Sequence, residues 1–432
     1  MMTTAPADIT STDTTSTDNE AAPDEFGRLT TAGIEKFREK IGLDWGYNRW
    51  TTWNEEATRD GIRHYAFGFG DDNPLYVDPG HAAASRWGGV IAPPGFLEGA
   101  GLTPRIPRRP EDKGRGKGAL SGVHMFWAGD HTRYFNPVRE GDRLWVRRFY
   151  VDIKEKESRF GGRSAVSVRR RVYWNDRGEL IAIWDADFVH TEREKAAKRN
   201  TDKIATPQHI YTEDELLDVD AHYAREAIRG AEPRYVEDVQ VGEEFVSRYR
   251  GPLITGDVIA WLQGNGRSEI YPYRLGYQNR QRMGGFYSRN GDGAWDSAMR
   301  VHWDDEYAQS VGARRAYDYG MLRNAWMMQV VTDWMGDDAI LVAVDDRITG
   351  FNVLGDLTHL TGAVTEIDTS GEWPEVVCTV QCTNQLDEKT ARGTLRVRLP
   401  SRERGLPEFP VPPADHGLLP GMAEPIEGPW VR

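Results

Sequence analysis

Two blocks of apolar residues, alternating or continuous and punctuated by turns, dominate the chain. The first block holds Leu144 to Ile153, Ser164 to Trp174 and Leu180 to Val189. The second holds Ala339 to Val344, Leu357 to Ile367, Val376 to Thr383 and Gly393 to Leu399. Runs of this length bounded by turn residues predict strands. A similar turn opens each block, Phe135-Asn136-Pro137-Val138-Arg139-Glu140-Gly141-Asp142 and Phe351-Asn352-Val353-Leu354-Gly355-Asp356. Short helical segments precede them, Asp60 to Phe67 and Asp257 to Gln263, with Thr58 matching Thr255. Met321 to Trp334 is apolar on nearly every side, which predicts a helix wrapped by other structure rather than lying on it. Helix followed by antiparallel sheet, twice, gives an α+β fold of two antiparallel sheets, each wrapping a buried helix.

The expected layout is a disordered tail over 1–27, an N-terminal domain over 28–200, a charged connector over 201–232, a C-terminal domain over 233–402 and a Pro/Gly-rich tail over 403–432. A length of 432 residues accommodates two such domains with full cores. The net charge of −13 offers no global field for gathering phosphates, so a nucleic-acid partner is not expected. No apolar run approaches the roughly 20 residues of a membrane span, and the Thr/Asp-rich start lacks a signal-peptide pattern. A cytoplasmic protein without a membrane partner is the expectation. Cys378 and Cys382 lie on one face of a predicted strand without histidine neighbours, an arrangement that cannot close a tetrahedral zinc site, so they read as ordinary buried thiols.

The chemistry-bearing motif is written twice. The first copy reads Gly70-Asp71-Asp72-Asn73-Pro74-Leu75-Tyr76-Val77-Asp78-Pro79, then Ile91-Ala92-Pro93-Pro94-Gly95-Phe96-Leu97. The second reads Val301-His302-Trp303-Asp304-Asp305-Glu306-Tyr307-Ala308, then Gly312, then Ala316-Tyr317-Asp318-Tyr319-Gly320-Met321-Leu322. Where the first has Tyr76 the second has His302, a side chain whose ordinary pKa suits proton transfer near neutrality. Asp304 and Asp78 both stand where a helix N-cap is expected.

Over about residues 28 to 400 this order resembles the MaoC-like dehydratases, the (R)-specific enoyl-CoA hydratases of the hot dog fold, as a tandem whose first half is dehydratase-like. The resemblance implies syn addition of water across the double bond of an α,β-unsaturated acyl thioester, an enoyl-CoA, to give the (R)-3-hydroxyacyl thioester, or the reverse. A base must take a proton from water, an acid must protonate Cα, and the thioester enolate needs a donor. His302 matches the family histidine. Gly320 stands 18 positions later, the separation of the family's oxyanion glycine, whose N–H opens the buried helix. A structural histidine and a packing glycine are the alternatives at these two positions. The same step in the first half runs from Tyr76 to Pro94, and proline has no N–H; a register shifted by one brings in Gly95 instead. The N-terminal domain is therefore expected to shape the acyl pocket without catalysing.

The family's carboxylate would stand five residues before His302, where this chain has Ser297. Asp296 is preferred as its replacement, with Asp292, Glu269 and, from the first half, Asp71 as further candidates. An insertion from Ile270 to Asn290 mixes tyrosines with Arg274, Arg280, Arg282 and Arg289, and Arg105 to Lys117 is a second cationic stretch. Either is suited to cover the acyl tunnel or to contact CoA phosphates, or simply to a solvated face. The implied reaction requires no metal and no redox cofactor, and a homodimer is compatible with the family. Two rivals remain: a hot dog acyl-CoA thioesterase, and a non-catalytic acyl-binding partner in a heteromeric dehydratase.

Overall fold

The computed structural model describes residues 26–45, 54–104, 109–158, 162–192, 206–266 and 270–422. The predicted strand blocks form, in the first half, β1 (His124–Tyr134), β2 (Leu144–Ser158), β3 (Gly162–Asn175) and β4 (Leu180–Thr191). The second half adds β5 (Arg248–Arg250), a small hairpin of β6 (Tyr287–Arg289) and β7 (Trp295–Ser297), then β8 (Ile340–Ile348), β9 (Thr358–Asp368), β10 (Glu375–Thr383) and β11 (Lys389–Arg398). The α+β class holds, but the strands outside the hairpin do not form two sheets. They form one nine-stranded sheet in the order β2-β3-β4-β1-β8-β11-β10-β9-β5. Strand β1 pairs antiparallel with β8 through His131↔Asp345, Thr132↔Val344 and Arg133↔Ala343. This joins two edges that would otherwise leave these backbone groups unpaired. Side chains reinforce the seam: His131 Nδ1 lies 2.7 Å from Asp345 Oδ1, and Arg347 Nη1 lies 2.9 Å from Asp187 Oδ2.

The helix Gly320–Met335, here called the central helix, packs against β1 and against β8 to β11. Burial reaches polar members such as Arg323 and Asp333, as the all-round apolar pattern predicts. The expected counterpart in the first half is reduced to a single 3₁₀ stretch, Pro94–Gly99. Crowding explains the difference. A Cβ on Gly95 would stand 2.1 Å from the Tyr65 hydroxyl, and one on Gly99 would stand 1.3 Å from the Asn265 carbonyl oxygen. The end of helix Thr255–Gly264 and the central helix fill the volume that a second long helix needs.

The halves are related by an internal two-fold pattern that backbone bonds make explicit. Ala92 N–H donates to Val138 O at 2.9 Å, as Asp318 N–H donates to Asn352 O at 2.9 Å. Glu140 N–H donates to Val90 O, as Leu354 N–H donates to Ala316 O. Asp142 accepts from Arg139 N–H and Asp356 from Val353 N–H, both at 2.9 Å. Helices Arg59–Gly68 and Thr255–Gly264 cross where a Cβ on Gly68 would lie 3.0 Å from Gly264 Cα. Beyond the second half, the tail returns to the first: Phe409 packs on Trp87, and Gly417 O accepts from Arg170. The expected connector carries helix Glu213–Tyr223, closed by a Thr212/Glu215 capping box. Of the expected tail over 1–27, residues 1–25 lie outside the described residues. Among the described residues no helix is long and apolar enough to cross a membrane.

Candidate functional site

Strand β7 runs straight into a 3₁₀ stretch, Ala298–His302, which delivers His302 into the interior with 8 % of its surface exposed. Asp304 then caps helix Asp305–Ser310, accepting from Tyr307 N–H at 2.9 Å, and this fixes the corner behind the histidine. The His302 Nδ1 lies 2.7 Å from the Tyr317 carbonyl oxygen. A carbonyl only accepts, so Nδ1 carries the proton and Nε2 keeps its lone pair in the neutral ring. Burial lowers the pKa of His302 to about 4, although the backbone carbonyls of Tyr317 and Asp318 pull it back upward. The imidazole is therefore neutral near pH 7.

Two residues beyond Asp318, Gly320 is the first residue of the 16-residue central helix. Its N–H has no intrahelical acceptor and stands at the positive end of the helix dipole. A Cβ here would meet Ile348 at 3.5 Å and Trp127 at 3.7 Å, ordinary contacts, so close packing does not demand a glycine. Trp127 belongs to β1, and its neighbour Phe126 packs on Phe351, which packs on Tyr317. The first half thus contributes aromatic side chains beside Gly320 and Phe351.

Sequence reasoning missed two groups here. The Tyr319 ring stacks on His302 with centroids 3.7 Å apart. The Asp318 carboxylate lies 2.9 Å from Arg323 Nε and accepts from Asn352 Nδ2 at 3.1 Å, while burial raises its pKa to about 6. The available signal was Arg323, the one arginine of a helix expected to be buried, which requires an acid nearby.

The candidate carboxylates separate. Asp296 is half-buried on β7, and its Oδ1 accepts from the Ser297 N–H at 2.7 Å; among the described residues no hydrogen bond or ion pair joins it to His302. Ser297, where the resemblance places the acid, is buried, and its hydroxyl has no hydrogen-bond partner among the described residues. Asp292 is exposed in the β6–β7 turn, and Glu269 lies outside the described residues. Asp71 is buried at the opposite end of the central helix, beside Asn73 and Asp333. From Gly320 to Asp333 the helix rises roughly 20 Å, so Asp71 does not reach His302.

A cavity of about 60 Å³ lies at that same far end, around Tyr76, Pro94, Tyr134, Met335 and Leu341. The insertion forms an exposed helix, Tyr273–Arg282, followed by the β6–β7 hairpin. Arg280 and Arg289 both lie over the Trp295 ring, at 4.8 and 5.5 Å. In the other cationic stretch, Arg109 and Arg115 pair with Asp112, whereas Arg105 and Arg108 lie outside the described residues.

Residues 44–184 match the family model of the FAS1-like dehydratase domain region. A UPF0336 protein of Streptomyces avermitilis is 35 % identical over 131 residues, 29 % of this chain and 78 % of that protein. Another, from Streptomyces griseus subsp. griseus, is 34 % identical over 146 residues, 33 % of this chain and 88 % of its own. Among solved structures, a MaoC-like dehydratase superposes with a TM-score of 0.56 at 16 % identity, over 83 % of this chain and 98 % of that one. A putative MaoC domain protein dehydratase from Chloroflexus aurantiacus J-10-fl gives 0.50 at 11 %, over 85 % and 97 %. The family model covers residues in the first half, whereas the likeness in fold extends over more than four fifths of the chain.

Proposed function

The chain belongs to the UPF0336 family, whose members match about a third of its length, and from that premise we propose that it adds water to an α,β-unsaturated acyl thioester, an enoyl-CoA, or catalyses the reverse dehydration. His302 Nε2 takes the proton from water as the oxygen bonds to Cβ. The Gly320 N–H holds the thioester oxygen as the enolate develops, and proton return to Cα completes the addition. The observation that supports this most directly is the Nδ1 bond of His302 to Tyr317 O, three residues before Gly320. One short segment thereby orients the base and ends at the oxyanion donor. Asp296, on the strand that leads into the His302 turn, is the proposed partner acid. The first half, with Trp127 beside Gly320, bounds the acyl group and carries no chemistry of its own. A cytoplasmic location accompanies this reading.

The test supplies an enoyl-CoA to the purified chain and follows loss of the conjugated absorbance, with His302→Ala alongside. Turnover by the wild type and its loss in the variant is the expected result, and equal rates in both would remove the proposal. A second reading, thioester hydrolysis, is favoured by one observation, the serine at the position of the family's acid. Release of free thiol from a saturated acyl-CoA, without hydration of the enoyl-CoA, would replace the first reading with it. Tight binding with neither reaction would identify the non-catalytic partner of a heteromeric dehydratase.

A further inference from the structure

The cavity at the far end of the central helix occupies the place that the two-fold pattern assigns to a second copy of the site. The paired bonds Ala92–Val138 and Asp318–Asn352 put Pro94 in register with Gly320. The doubled motif puts Tyr76 in register with His302. Both counterparts line the cavity, so the fold keeps a hollow where its chemistry has been removed. Proline supplies no N–H to an enolate, and the buried Tyr76 phenol, its pKa driven up by burial, is no base near neutrality.

The walls come from both halves and from the tail. Leu97 and Ile181 belong to the first, Met335 and Leu341 to the second, and Phe409 closes one side. An apolar cavity of about 150 Å³ is large enough for benzene; at about 60 Å³ this one suits a smaller aliphatic group. We propose that it is a second acyl site, which takes the short aliphatic chain of an acyl thioester and does not turn it over. Only the ligand class rests on the proposed function. The cavity is not the tail end of the His302 site for such a ligand, because the central helix rises roughly 22 Å from Gly320 to Met335. A four-carbon acyl chain cannot span that distance.

Two methionines separate the sites. Met335 lines the cavity, whereas Met321 follows Gly320 at the other end of the same helix. The full chain carrying ¹³C-methyl methionine is titrated with butyryl-CoA, a saturated thioester that cannot be hydrated. Both methyl resonances are expected to shift, each with its own saturation curve. Ala339→Leu, which fills the cavity, is expected to abolish the Met335 response and leave the Met321 response and enoyl-CoA turnover unchanged. A Met335 resonance that stays still while Met321 saturates would overturn the proposal. So would a Met335 shift that needs a long-chain acyl-CoA and saturates together with Met321, since that is one tunnel. Both of these outcomes are read on the wild type, whatever the folding of the variant. A shift of Met335 alone would leave the second site standing and count against the proposed function.

Discussion

The ring of Tyr319 lies against the ring of His302, planes 22° from parallel and centroids 3.7 Å apart. Together with the Tyr317 carbonyl this clamps the imidazole in one orientation. Tyr319→Phe keeps the stacked face and should turn over at close to the wild-type rate. Tyr319→Ala frees the ring, and a stack worth about 0.5–1.5 kcal/mol corresponds to a loss of roughly two- to tenfold in kcat. Steady-state kinetics on both variants checks this, with KM expected to move less than kcat.

Gly320 allows the backbone donor to be removed without disturbing the fold. Alanine fits there by ordinary contact, and proline is well tolerated at a first helical position. Gly320→Ala keeps the N–H and should retain most of its activity. Gly320→Pro removes it, as Pro94 does naturally, and a fall of about 10²–10³ in kcat is expected for a lost oxyanion donor. Circular dichroism and thermal melting of both variants should stay near wild type.

Burial holds His302 and His190 neutral, each lowered to about 4. The unfolded chain takes up those protons as pH falls through about 6.5. Stability contributed by keeping the two rings neutral is therefore present above pH 6.5 and is lost as pH falls from there to 4. Urea unfolding across pH 4–7 should show this slope, and His190→Gln should flatten part of it. Turnover should stay level down to about pH 5, because the folded histidine protonates only near 4.

Asp71 behaves in the opposite sense. Burial and the neighbouring Asp333 raise its pKa, so the folded state holds a proton that the unfolded state has released. Stability then falls as pH rises above the ordinary carboxylate range toward the raised value. Asp71→Asn can still accept from the Asn73 N–H and should melt higher than wild type at pH 8, with little difference at pH 4. Enoyl-CoA turnover should not change, since Asp71 is a helix length away from His302. A large loss of turnover would restore Asp71 as a candidate partner acid.

The strand blocks, the turns closed by Asp142 and Asp356, and the all-buried helix after Gly320 were legible because each is a local pattern: period two, a turn residue at a fixed offset, or apolar residues on every side. The step from His302 to the first residue of the central helix was legible as a spacing. The single sheet was not, because the β1–β8 pairing is a choice between edges that no local window contains. Nor was the loss of the first half's long helix, which follows from Tyr65, Met328 and Asn265 crowding Gly95 and Gly99. The partner acid stayed ambiguous for a related reason. Asp296 and Ser297 are neighbours on β7 and point to opposite sides of the strand, which a count along the chain does not resolve.

The β1–β8 seam also sets a stoichiometry. If the two halves were separate subunits they would meet by chance, and some assemblies would pair two copies of the same kind. Here the pairing edge of each half is occupied by the other half of the same polypeptide, so every molecule carries one of each. On the proposed function, the half with Tyr76 and Pro94 is thereby released from selection for proton transfer, and its interior is open to substitution for size and shape alone.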